Sequence, residues 1–298
     1  MPGYAAALTA AFCWALGGLI AVTPVNRLGP FGFNRIRNPL SFLMLTSLAF
    51  LTSGWAQVDY TTIWYIFFSA IVGIFFGDSA LFETMKRMGP RRTSILFATN
   101  APMTAVIAFL VFDETISSVQ IAGCVVILLG VVLAIIYGTS KNQHHRWEQV
   151  RGSLLAGVIL GLTAAFCQAA GAIIIKPVME SGADPVTVSA MRVGIASVFL
   201  ISYGWIRQGR QTGNNYSKPT IGLVAWIACS GFIAMVLGMT LLLYGLADGE
   251  AGVITTLSST TPVMILPLLW IKTGERPALG SWMGALLTLV GSGILFNY

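Results

Sequence analysis

One carboxylate stands well inside an apolar run: Asp78, in IVGIFFGDSALFE. A charge at that depth is costly unless it is paired, protonated or facing water, so Asp78 is the leading candidate for a group that exchanges a proton with substrate. Gly77 before it leaves room for water or solute. The alternative is an ion-pair or capping partner for Lys86, Arg91 or Arg92. Glu83 lies about 140° further round a helix and reads as an interfacial residue. Arg37 follows Pro30 by seven residues, and Arg192 follows Pro185 by seven. Both guanidiniums could hold a carboxylate or phosphate bidentately, or else snorkel or cap neighbouring carbonyls. Trp14 and Gln168 occupy matched places in LTAAFCWALGG and LTAAFCQAAGA, while Asn100 and Thr260 stand two residues before Pro102 and Pro262. These four are candidates to line a cavity, with helix-to-helix hydrogen bonding as the competing role. Glu114 and Glu275 precede apolar runs and read as caps at positive helix ends. His144 and His145 are adjacent, lack further ligands and read as solvated surface.

No metal or cofactor is implied. The four cysteines, Cys13, Cys124, Cys167 and Cys229, all fall in apolar stretches and form no CxxC pair, so neither a disulfide framework nor a zinc site is indicated. Neither HExxH, GxSxG nor a phosphate-cradling GxxxxGKS occurs, so a hydrolase or an ATP-driven motor has no support.

The elements that must position these residues follow from composition. Of 298 residues, 56% are hydrophobic and 9% charged, with a mean hydropathy of +0.79. Soluble domains carry roughly 25% charged residues, so a water-facing surface cannot be built, and separate extramembrane domains are excluded. About ten spans of ~20 residues would use most of the chain. Apolar runs bounded by charge, Pro and Gly predict helices near 4–25, 31–52, 62–83, 92–111, 118–138, 153–175, 186–206, 220–245, 251–271 and 279–297. Helices are expected because their backbone polar groups are satisfied internally in lipid. The start lacks a basic segment and is long enough to remain as a first span.

The halves repeat one another. Besides the LTAAFC segments and the Pro–Arg pairs, Gly77 matches Gly238, Pro102 matches Pro262, Glu114 matches Glu275, Gly123 matches Gly284 and Gly130 matches Gly291. The expected division is 1–138, a linker at 139–152, and 153–298. Each unit holds an odd number of spans, so the second is inverted relative to the first. Charge agrees with that inversion. Arg27, Arg35, Arg37, Lys86, Arg87, Arg91, Arg92, Lys141, Arg146, Arg151, Arg207, Arg210, Lys218, Lys272 and Arg276 fall on the odd-loop face, while Lys176 and Arg192 fall on the other. The net charge of +6 is therefore read as basic cytoplasmic loops, not nucleic-acid binding, with both termini external.

The Trp14 segment FCWALGG, the second-span arginines, GDSALFETMKRMGPRRTSILFATNAP and the spacing of Glu114, Gly123 and Gly130 resemble the drug/metabolite transporter superfamily, in its ten-helix form with two EamA-type repeats. The resemblance covers the whole chain. It implies an all-α membrane protein whose inverted five-helix repeats enclose a central cavity, a secondary transporter that moves small organic metabolites by alternating access, often as an exporter. The loop LTSGWAQVDYTT departs from it, lacking the basic cluster that many such proteins carry there. The competing class is a non-transporting membrane protein, either a lipid-handling scaffold or flippase or an intramembrane enzyme. The expected partners are a small-molecule substrate and the bilayer of the cell membrane, and a homo-oligomer is compatible with them.

Overall fold

The computed structural model describes residues 2–52, 55, 60–112, 117–137, 150–208 and 219–296. Glu114, Lys141, His144, His145, Arg146, Arg210, Lys218 and most of the 139–152 linker lie outside the described residues. All regular structure among the described residues is helical.

Among the described residues ten spans follow one another, and left-handed glycines mark four of the turns between them, at Gly29, Gly89, Gly182 and Gly274. The run Pro2–Thr52 turns at Gly29, whose φ of 75° lies in the left-handed region, and so supplies spans 1 and 2. Only glycine takes that conformation cheaply, and Pro30 next to it has no N–H to continue the helix. The same device recurs at Gly89 (φ 82°) and Pro90, separating span 3 (63–88) from span 4 (90–112). Span 5 is Ser118–Tyr137, span 6 Leu154–Glu180 and span 7 Pro185–Gln208. Spans 8 (221–248) and 9 (251–273) precede span 10, Leu279–Phe296. Spans 3 and 6 continue past their expected ends at 83 and 175, because the charges taken as boundaries are carried by the last turns of the helices.

The repeat is visible in backbone detail. Spans 3 and 8 each contain a π-helical stretch, Ala70–Asp78 and Phe232–Met239, ending at matched positions. Spans 4 and 9 each break their helix at a matched place, where Thr99 and Thr260 donate backbone N–H and side-chain hydroxyl to Leu96 and Leu257 respectively. The matched pairs are therefore Thr99 with Thr260 and Asn100 with Thr261, one residue off the register that counting back from the prolines suggests. Close helix approach also repeats. A Cβ on Gly77 would stand 3.2 Å from the Cβ of Cys167, and one on Gly238 would stand 3.3 Å from the Cβ of Cys13. Gly77 thus admits span 6 to span 3 instead of leaving space for water.

Packing differs between the two membrane halves. On the face opposite the basic loops, the ends of spans 1, 3, 4, 6, 7, 8 and 9 close around Ala10, Ile175, Met179, Leu243, Leu246 and Ile254, none more than 1% exposed. Toward the basic face spans 1, 2, 3, 4, 6, 8 and 9 part around an apolar cavity. Beside it Val22, Phe33, Phe82 and Ile227 still pack spans 1, 2, 3 and 8 together, and a polar concavity lined by Tyr4, Lys176, Glu180 and Asp248 lies at the opposite end.

Candidate functional site

The cavity is narrow, with about 80 Å³ available to the centres of water-sized spheres, and its walls come from spans 1, 2, 3, 4, 6, 8 and 9. Its lining is mostly apolar: Trp14, Leu81, Phe82, Met85, Phe97, Met235, Met239 and Ile265. Polar groups are few and convergent, namely Arg37, Asp78, Gln168, Thr93, Ser94 and Thr261. That combination, an apolar wall with a small set of fixed polar groups, is what small-molecule sites use to hold and orient a solute.

At its inner wall Arg37 pairs with Asp78, Nη2 donating to Oδ2, with side chains 3% and 15% exposed. Asp78 is therefore paired, and its partner comes from span 2, not from Lys86, Arg91 or Arg92 at the turn after span 3. The reason is the direction of those side chains. Arg91 donates to the hydroxyl of Ser281 on span 10, and Arg92 turns back to the carbonyl of Met88, 3.4 Å away. Glu83 pairs with Arg87 at 2.7 Å. Arg37 does not snorkel to headgroups. Phe33 and Phe82 hold it, with its guanidinium carbon 5.2 and 4.6 Å from their ring centres, a cation–π cage that limits its rotation. Its Nε donates to Asn38 at 3.3 Å.

Arg192 stands at the repeat-equivalent place on span 7, 2% exposed. Its Nη1 lies 3.1 Å from the sulfur of Met239, its Nε has no hydrogen-bond partner, and Asp78 is within its electrostatic reach. It lies behind Met239 and is not among the cavity-lining residues.

Four of the seven sequence candidates, Trp14, Arg37, Asp78 and Gln168, thus meet at one cavity. Trp14 donates Nε1 to the carbonyl of Ala234, 3.0 Å away in the π-helical stretch of span 8, where the wider turn loosens the i→i+4 ladder. Asn100 and Thr260 are placed elsewhere. Asn100 is 1% exposed and accepts a hydrogen bond from Ser259, joining spans 4 and 9 at their breaks. Thr260 bonds within its own span, and its neighbour Thr261 reaches the cavity instead. Glu275 lies in the turn four residues before span 10, its N–H bonded to Thr273 at 3.3 Å. Sequence reasoning missed Met239, which the repeat could have revealed as the counterpart of Asp78, and the aromatic cage, which carries no mark within an apolar span. Among the described residues no group of three or more His, Cys, Asp or Glu is placed to hold a metal.

The chain matches the EamA-like transporter family twice, over residues 1–136 and 155–297. It belongs to that family. The double match covers both halves of the EamA-like transporter, each across five spans. A crystal structure of a protein 13% identical in sequence aligns with a TM-score of 0.72, covering 98% of this chain and 95% of that one; at this identity the likeness concerns the fold. Comparison with curated proteins gives no match.

Proposed function

We propose that this EamA-like protein is a secondary transporter that exports small organic metabolites by alternating access, with Asp78 as its coupling group and no enzymatic activity. The observation that carries the reading is an apolar cavity with a few polar groups lying toward one end of the inverted repeats, while an apolar cluster closes the spans at the other end. Inverted repeats can exchange conformations, so a state whose apolar cavity lies toward one face has a mirror with the cavity toward the other. The cavity lies toward the loops rich in Lys and Arg, which the positive-inside rule assigns to the cytoplasm. A solute loading there would leave outward, and the termini would be external. The 1–138 and 153–298 units would then rock about the cavity, joined by the 139–152 linker.

Within the cavity the apolar wall would hold the body of the solute. Asp78 can leave Arg37 only if it gains a proton or another cation, since a lone carboxylate is costly at that depth. Proton transfer would in this way be tied to rearrangement of the pair. The test is an untargeted comparison of metabolites released by cells with and without the protein in a cell membrane, followed by reconstitution with the solutes that differ. Solutes accumulating outside only when the protein is present support the reading; identical release profiles and no flux from proteoliposomes would remove it.

A further inference from the structure

Two guanidiniums and one carboxylate share the centre of this membrane protein. Arg37 has Asp78; Arg192, at the inverted repeat's matching position, meets Met239 where its twin meets an acid. A thioether is only a weak acceptor, and the Arg192 Nε is left without a partner at 2% exposure. Buried charges are normally paired, so the trio carries one positive charge in excess. Its position is the second observation. Arg192 is separated from the cavity by Met239, a flexible side chain that lines it, and its Nη2 lies against Gly73, where a Cβ would stand 3.2 Å away, so the guanidinium packs closely on span 3 and only the Met239 side faces the cavity.

We propose that the substrate is a small organic anion, a carboxylate or phosphate on an apolar body, whose negative group supplies the missing counter-charge of Arg192. This rests on the transporter reading and specifies its solute. In the state described here the anion enters beside Arg37, its body against Trp14 and Phe82. In the inverted state the repeat places Arg192 where Arg37 now stands, so the anion is passed from one guanidinium to the other as Asp78 exchanges partners. A single anion thereby satisfies whichever arginine Asp78 leaves. The asymmetry between Asp78 and Met239 is the device: with an acid at both places each arginine would be permanently neutralised, and the cavity would have no preference for a negative solute.

The experiment uses the full chain in detergent and a panel of probes built on one ring: phenylacetate and phenyl phosphate, phenyltrimethylammonium, and phenyl glucoside. Thermal unfolding is followed as each is titrated. The anions should raise the unfolding temperature saturably, with phenylacetate and phenyl phosphate distinguishing the two head groups, while the cation and the neutral glucoside should not. Arg192→Gln removes the excess charge and Met239→Asp neutralises it by giving Arg192 a carboxylate; both should weaken anion binding at least tenfold. Met239→Asp guards against a folding artefact, because it completes a buried pair and should itself raise the unfolding temperature. Stabilisation by the cation or glucoside alone, no stabilisation by either anion, or undiminished anion binding in a folded Met239→Asp variant would overturn the proposal. The metabolite comparison above does not depend on solute charge, so release of cationic or neutral solutes would leave the transporter reading standing while this one fell.

Discussion

The hydroxyl of Ser69 on span 3 donates to the carbonyl of Gly171 on span 6 at 2.7 Å, and the matched pair, Ser230 on span 8 and Gly17 on span 1, repeats the contact at 2.9 Å. Each repeat therefore grips the first span of the other at a place where side chains are absent or small. A Cβ added to Gly171 would lie 3.0 Å from the Cα of Gly73 and 3.5 Å from the Ser69 carbonyl. Backbone cannot move aside as a flexible side chain does, and such overpacking costs about 1–3 kcal/mol.

Gly171→Ala should therefore lower the unfolding temperature clearly, whereas Gly222→Ala, where an added Cβ meets nothing within 4 Å, should stay within about 0.5 kcal/mol of the parent. Thermal unfolding of both variants in the same detergent checks this. Equal effects would mean that the crossing is looser than its distances imply.

Orientation can be read with two reporters on opposite faces. In a background without the four native cysteines, Val150→Cys sits at the basic face and Glu250→Cys in the exposed turn between spans 8 and 9. With basic loops retained in the cytoplasm, an impermeant maleimide applied to intact cells should label position 250 and spare position 150 until the membrane is opened. The opposite pattern would invert the topology and turn the direction of export into import.

Much of this architecture was legible because its signals are local or periodic. Apolar runs, Gly–Pro turns and a constant repeat offset need no tertiary knowledge, and Asp78 stood out by charge alone. The pairing of Arg37 with Asp78 was hidden because the residues lie 41 apart, while Lys86, Arg91 and Arg92 offered nearer partners along the chain. Only the three-dimensional course of spans 4 and 10 shows that Arg91 is drawn to Ser281. Phe33, Phe82 and Met239 were unmarked for a different reason: in a bilayer-spanning sequence an apolar residue facing a cavity looks the same as one facing lipid. The π-helical stretches likewise carry no compositional sign.

On the face away from the basic loops, Lys176 acts as a tether. Its Nζ donates to the carbonyls of Leu246 at 3.0 Å and Gly249 at 2.7 Å and pairs with Glu180 at 2.8 Å, binding the end of span 6 to the end of span 8. The Leu246 carbonyl lies in the last turn of the helix and that of Gly249 just past its end, where neither has a partner within the helix, so opening of this face must break the contact. Lys176→Met should shift the population toward the state open on that side. With Ile254→Cys in the buried outer cluster as reporter, maleimide labelling should become at least about tenfold faster, the change given by roughly 1.4 kcal/mol. An unchanged or slower rate would show that Lys176 does not hold this face shut.

The pair at the cavity makes the strictest demand on coupling. Asp78→Asn leaves Arg37 and Arg192 as two buried cations without an anion, and breaking a buried pair from one side costs about 3–5 kcal/mol. Arg37→Gln leaves Asp78 facing Arg192 alone, and the double variant removes both members of the pair, so it should recover part of the loss. A double-mutant cycle on unfolding temperature then isolates their coupling from the effect of each substitution. Transport supplies the second readout, because a structural pair and a coupling group differ there. If Asp78 carries the proton, the double variant should fold and exchange labelled solute across proteoliposomes at equilibrium while losing its response to an imposed pH gradient. Arg37→Gln, which keeps the acid, should retain that response at a reduced rate. A folded double variant that still concentrates solute in answer to the gradient would place the coupling group elsewhere.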